Sequence, residues 1–375
     1  MNGNAQFTRR GFLVSTSCLG AAIAMARYLP APAMAAEVAT DARVAAQPLA
    51  DKGFASVRKI GDGVYATISD LSKGLTTTSN GGFIVGKESA LMIEGFRQPA
   101  GAEFQMEALR SVSRVPVQAA VDTHYHFDHS MGNSHYGAQG IPVWAHEKTA
   151  AMMALNYGSL QGTDKTDKLS ALEKQAREAP TEAEREHAKG DLNAYKLVFA
   201  TMDSTMIGLP TRPLEVSKLP LTVDLGGVKA VIEARPGHTP TDLIVRIPDR
   251  NIVFTGDLLF NLMYPATFDA DLRAWEKTLL AFSGYDKETL FVPGHGPVCG
   301  PEGVERLRDV FGDLTDQARK MYKAGIPVEE AKHRYVIPAR FKGFAVFSWG
   351  FCIAPAIAKL YEEFKLPTSP RSSQH

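Results

Sequence analysis

The sequence predicts a mixed α/β fold of the α+β kind, with two β-rich halves and helices set between and after their strands. Three observations lead there. Short runs rich in β-branched residues recur in two groups, a helical stretch interrupts each group, and a long charge-mixed segment separates them. With 375 residues, 45% hydrophobic and 22% charged, the chain has ample apolar material for one large or two modest globular domains.

In chain order, residues 1–35 stand apart. "TRRGFLVSTSCLGAAIAMA" places Arg9 and Arg10 before an apolar run, and Ala33 and Ala35 supply the small residues of a cleavage site. The run over 11–26 falls short of the roughly 18 apolar residues of a membrane span, and Arg27, Pro30 and Pro32 follow it. An export signal is therefore expected. Arg9 and Arg10, with Phe12 and Leu13, resemble a twin-arginine signal; Val14 stands where lysine is often found, which leaves the general secretory route open. The mature chain is expected to be periplasmic or secreted, without stable membrane insertion. Loss of the segment's three arginines takes the formal net charge from 0 to −3 and removes Cys18. Cys299 and Cys352 remain, too few for a disulfide framework, and read as buried small hydrophobes. Nothing in the balance of 41 basic and 41 acidic residues predicts nucleic acid or an anionic membrane as the main partner; a small-molecule substrate is expected from the local chemistry below.

Residues 36–56 are alanine-rich without clear periodicity and are predicted to be a flexible tether, with the main domain over 57–300. Its first half carries the β-like runs "GVYATIS" (63–69), "GGFIVG" (81–86), "ALMIEG" (90–95) and "VQAAVDT" (117–123), with a helix near 103–112. Residues 147–215, dense in Glu, Lys and Ala, predict a helical insertion with solvated faces, including a helix over 181–202. The second half pairs "LTVDLGG" and "VKAVIEA" as a hairpin over Gly226 and Gly227, then adds "LIVRIPD", "NIVFTGD" and "TLFVPGH", with a helix near 272–282. Residues 301–375 predict a helical extension packed on the domain. There Val304, Leu307, Phe311, Leu314 and Ala318 form an apolar stripe, Gly300 and Pro301 open the helix, and Gly325 closes it.

Chemistry concentrates in "DTHYHFDHSMGN", which holds three of the ten histidines. On an extended segment His124 and His126 point to the same side and can share a metal ion. A turn after Phe127 lets Asp128 and His129 face a second ion. Imidazole with carboxylate suits zinc, with iron or manganese as substitutes. Zinc ordinarily takes four ligands, so each half-site needs more. His238 in "RPGHTPTD", Asp257 in "FTGDLLF" and His295 in "VPGHGP" each follow a β-like run and a glycine, which lets the backbone turn sharply at a sheet rim.

HxHxDH, a later GHT, a GD after a hydrophobic strand and a terminal GHG, in this order over 57–298, resemble the metallo-β-lactamase superfamily of hydrolases. The resemblance implies an αββα sandwich, two mixed β-sheets flanked by helices, with metals at one edge. It implies that His124, His126 and His238 hold one ion, that Asp128, His129 and His295 hold the other, and that Asp257 bridges them. Glu94 stands where many members have aspartate. Two Zn²⁺ sharing Asp257 would share a water whose pKa falls from 15.7 toward about 7, and Asp128 would orient that hydroxide and shuttle its proton. The implied activity is cleavage of an ester, lactone, thioester, amide or phosphoester bond. A β-lactamase is the weaker reading, because true β-lactamases of the superfamily commonly lack a bridging aspartate at this place. Another class stays open: a mononuclear iron oxidoreductase similar to persulfide dioxygenases. A flavodiiron enzyme fits less well, since the chain after Val298 is too short and too helical for a flavin domain.

Substrate choice is expected from segments over the metal edge: Tyr125 and Phe127, the 147–215 insertion, "LFNLMYP" (259–265) and "FKGFAVFSWGF" (341–351). Arg212 and Arg246 are candidates to receive a carboxylate, although a surface role is the commoner one for such residues. His135 is a candidate neighbour of the metal ligands. His146, His187, His333 and His375 read as ordinary surface or core residues.

Overall fold

A computed structural model describes residues 42–45 and 47–365. The expected export signal and its cleavage site lie outside these residues. Among the described residues, no helix is long and apolar enough to cross a membrane.

The first sheet has eight strands in sequence order: β1 (Ala50–Asp51), β2 (Ala55–Gly61), β3 (Val64–Ser69), β4 (Gly81–Val85), β5 (Ala90–Ile93), β6 (Val117–Val121), β7 (Val143–His146) and β8 (Arg212–Leu214). Strands β1 to β5 pair antiparallel, while β5 to β8 run parallel. The second sheet has the order β13-β12-β11-β10-β9, from β9 (Leu221–Asp224), β10 (Lys229–Ala234), β11 (Leu243–Ile247), β12 (Ile252–Phe260) and β13 (Leu290–His295). Only β12 and β13 pair parallel there. The β9–β10 turn uses Gly226 and Gly227 at φ +86° and +87°, as the hairpin reading requires.

The central strands of the sheets, such as β5, β12 and β13, are buried on both faces, and strand alternation divides their side chains between layers. Leu91, Ile93, Val121, Val245, Phe254 and Val292 meet in the core between the sheets. Phe83 and Met92 face outward under α2 (Pro99–Val112), packing on Phe104 and Leu109. Val253 and Phe291 face the other way, onto α8 (Leu272–Ser283) and α9 (Pro301–Lys323) through Leu279, Phe282, Leu307 and Phe311. The expected αββα layering results.

Five further helices matter for function: α3 (Phe127–Ser130), α4 (Asn133–Ala138), α5 (Thr149–Asn156), α6 (Thr166–Glu178) and α7 (Glu182–Ser204), preceded in the chain by α1 (Ala42–Ala45). Thr181 opens α7 with a capping box: its hydroxyl accepts from Glu184 N–H while Glu184 returns the bond to Thr181 N–H. The predicted apolar stripe of α9 is buried, and α10 (Val328–Arg334) and α11 (Trp349–Lys365) complete the extension. Two expectations need correction. The sheet begins at Ala50 rather than 57, because β1 pairs with β2 through Ala50↔Val57, so residues 50–56 are not a tether. Strands β7 and β8 were not legible: four and three residues long, they draw their order from parallel neighbours rather than from a pattern of their own.

Candidate metal centre

All seven predicted residues converge at one edge of the sandwich. The chain leaves β6 at Val121 and bends through 123–125, so the segment carrying His124 and His126 is not extended as expected. Their rings still come together, with centroids 4.7 Å apart. The turn expected after Phe127 is the first turn of α3, which carries Asp128 and His129. His238 lies in the β10–β11 loop, Asp257 within β12 and His295 at the end of β13. Bonds between the sheets fix this edge: Leu243 N–H donates to Thr123 O (2.7 Å), and Asn80 Nδ2 donates to Pro293 O and Gly296 O.

The three glycines act by two different means. Gly256 has φ +51°, a conformation that favours glycine, and kinks β12 at Asp257. Gly294 has no such φ; it is needed for space, because a Cβ there would sit 1.9 Å from Asp257 Oδ1. Gly237 is likewise a matter of close approach, against Trp275 and Leu258.

Two groups of donor atoms form, each with all its atoms within 4.8 Å of one another: His124, His126, His238 and Asp257, and then Asp128, His129 and His295. Asp257 faces both. Its Oδ2 lies 3.3 Å from His238 Nε2 and 3.8 Å from His124 Nε2, while Oδ1 lies 3.1 Å from His129 Nε2 and 3.3 Å from His295 Nε2. Asp128 Oδ2 is 3.2 Å from His295 Nε2.

The outward ring nitrogens of His124, His126, His129 and His238 face polar groups behind them, which sets the face these imidazoles turn to the centre. His124 Nδ1 meets Thr123 Oγ1 at 3.1 Å, and His238 Nδ1 meets Ala266 O at 3.0 Å. His129 Nδ1 faces Glu94 Oε1 at 3.1 Å, and the same oxygen accepts from the Thr123 hydroxyl at 2.5 Å. Glu94 is fully buried at φ +74°, a strained conformation for a residue with a side chain. His126 is reversed. Its Nδ1 faces His238 Nε2 at 3.0 Å, and its Nε2 meets Asp269 Oδ2 at 3.3 Å. Asp269 also accepts from the Tyr125 hydroxyl. Asp242 holds the His238 turn by accepting from the backbone N–H groups of His238 and Thr239. Sequence reading missed both: Asp269 lies outside every motif, and Asp242 closes "RPGHTPTD" without having been singled out there. His135, by contrast, lies on α4 against Gln139.

The donor set fits metal ions. His124 Nε2 is buried and has no hydrogen-bond partner. Burial pushes His124 well below the usual histidine range and takes His238 down to about 3, with Asp257 opposing. Both are thus neutral, the form that binds a cation. Burial also works against charge at His295, but the Asp257 and Asp128 carboxylates lift it to about 9. Burial opposes the charge of Asp257 as well, yet His295, His129 and His238 hold its carboxyl well below the usual range. Burial also opposes a charge on His129, while the Asp257, Glu94 and Asp128 carboxylates raise it, so metal binding at this group would compete with protons.

A cavity of about 280 Å³ opens above the cluster, floored by His126, Asp128, Asp257 and His295. The segments expected to shape the substrate site all contribute: Tyr125 and Phe127, Tyr157 and Tyr195 from the insertion, Met263, and Phe351. Arg212 and Arg246 do not line it. Arg212 lies over the Trp144 ring, and Arg246 pairs with Glu233. Cys299 and Cys352 are buried and free, and burial raises both thiols, Cys352 to about 12.

The sequence model of the family described as "Metallo-beta-lactamase superfamily" matches residues 76–295, a span that holds all seven cluster residues. The chain belongs to the metallo-beta-lactamase superfamily. Among curated proteins, it is 23% identical over 255 residues to a linear primary-alkylsulfatase from a Pseudomonas species, covering 64% of this chain and 46% of that one. It is 30% identical over 88 residues to a metallo-beta-lactamase type 2 from Bacteroides fragilis, covering 22% and 35%. The chain spans about half the length, or less, of the curated relatives it matches. Among solved structures, a double mutant of the sec-alkyl sulfatase PisA1 shares the fold at 15% identity and TM-score 0.56, over 83% of this chain and 50% of that one.

Proposed function

We propose that the protein is an exported hydrolase that binds two zinc ions and cleaves an ester-type bond in a small substrate. One observation carries this reading: the two oxygens of Asp257 face two separate groups of ligands. His124, His126 and His238 would hold one ion, Asp128, His129 and His295 the other, and Asp257 both. When bound, such ions supply Lewis acidity and a water acidified toward neutral pH. Asp128 both faces His295 and lines the cavity, which suits it to take up and return a proton. Metal-assisted hydrolysis of this kind needs no serine or cysteine nucleophile, and the two buried thiols are kept protonated.

The alkylsulfatase relative adds a sulfate ester to the ester, lactone, thioester, amide and phosphoester bonds under consideration. A β-lactam suits the cavity poorly, because it carries a carboxylate and no lysine or arginine lines the walls among the described residues. Export rests on Arg9, Arg10 and the apolar run after them.

The test is metal content by mass spectrometry on the purified protein. It is paired with chromogenic carboxylic ester, lactone, phosphodiester, sulfate ester and cephalosporin substrates before and after chelation. About two zinc ions per chain with chelator-sensitive turnover support the reading. One iron per chain with no hydrolysis of any substrate overturns it in favour of an iron oxidoreductase.

A further inference from the structure

The metal cluster supplies only the floor of its cavity. Much of the wall comes from parts of the chain that belong to neither sheet: Tyr157 after α5, Tyr195 and Val198 on α7, Phe268 beyond β12, Phe347 just before α11 and Phe351 in its first turn. These walls are tied together rather than merely adjacent. Asp191 of α7 accepts from the Ser348 hydroxyl (2.5 Å) and from Gly350 N–H (2.8 Å), which pins α7 against α11. Phe351 packs on Tyr195 at 5.2 Å and on Phe268 at 5.2 Å between ring centroids, closing the chamber with aromatic contacts. The carboxylates that reach it are those of the floor, Asp128 and Asp257, beside the imidazoles of His126 and His295. Walls that are mostly apolar stabilise an apolar occupant and penalise a charged group not seated at the floor.

We propose that this chamber is an apolar chain subsite, so that the substrate carries an uncharged alkyl or acyl group held between α7 and α11 while its scissile bond lies on the floor. The inference rests on the hydrolase reading for the floor and adds the chemical class of the substrate. It also gives the helical insertion and the C-terminal extension a joint task, since each contributes one wall.

The experiment separates the two readings by measuring binding apart from turnover. A series of n-alkanols from butanol to octanol is titrated by calorimetry into the zinc-loaded protein. Full burial of each methylene contributes about 0.8 kcal/mol, so affinity is expected to rise up to about fourfold per carbon. Val198→Asp, which sets a carboxylate in the wall, is expected to weaken octanol at least tenfold while leaving the zinc content unchanged. Affinity that is flat with chain length in the unaltered protein overturns the chamber proposal, whether or not the variant folds. Steep alkanol binding without hydrolysis of any ester supports the chamber and refutes the hydrolase reading. Hydrolysis whose kcat/KM is indifferent to acyl length does the reverse.

Discussion

Asp269 is the most informative residue to perturb. Its carboxylate accepts from the Tyr125 hydroxyl and meets His126 Nε2 at 3.3 Å, so it sets the face that His126 turns toward His238 and Asp257. The Asp269 side chain is 29% exposed, so solvent screens its charge and the pair is worth less than a buried one. Removing a partner of this kind typically weakens metal binding about 10- to 100-fold, or about 1.4 to 2.7 kcal/mol. Partial exposure places Asp269→Ala toward the lower end. Asp269→Asn keeps an acceptor oxygen and is expected to lose less. His129, held through Glu94 on the other side of Asp257, has no contact with Asp269 among the bonds described, so only one of two ions should weaken. Competition with a chromogenic chelator, titrating zinc into apoprotein, resolves the two affinities. Equal weakening of both ions, or of neither, refutes the assignment of Asp269 to His126.

Gly294→Ala sets a Cβ where Asp257 Oδ1 now lies, and the nearby backbone leaves it no other room; we expect about 1 to 3 kcal/mol of lost stability and fewer than two bound ions, read by urea melts and metal analysis. Trp275 is fully buried, donates from Nε1 to Leu258 O and packs on His238, so Trp275→Ala should cost about 3 to 5 kcal/mol in denaturant titration. His187 stacks on Trp349 with ring centroids 3.6 Å apart, and burial, with His333 nearby, lowers it from 6.5 to about 4. The unfolded chain takes up this proton first, so the contribution of His187 is complete above pH 6.5 and is lost as pH falls toward about 4. The slope is at most about 1.4 kcal/mol per pH unit, less after solvent screening. Thermal melts should show His187→Phe removing part of the acid-side loss; identical pH profiles would rule the contribution out.

The sequence by itself, through its resemblance to the superfamily, pointed to the αββα class and named seven residues that the fold brings to one edge. Strands buried on both faces read as apolar runs, four of the seven residues lie together in "HYHFDH", and His238, Asp257 and His295 each follow a β-like run with a glycine directly before them, so the signal is local and dense. The glycines were legible as positions but only partly as reasons: Gly256 turns the backbone, whereas Gly294 and Gly237 leave room for neighbours distant in sequence or across the sheet. Asp269 lies 143 residues from His126, and Asp191 lies 157 from Ser348. A hydrogen bond across such a distance leaves no periodicity and no spacing in the chain, because only the packing of α7, α11 and the loop after β12 brings its ends together. Tertiary structure alone therefore decided which carboxylates stand behind the histidines and what closes over them. The metal-binding chemistry was written in a few strand ends, and the shape of the chamber above it was settled by contacts between the insertion and the extension.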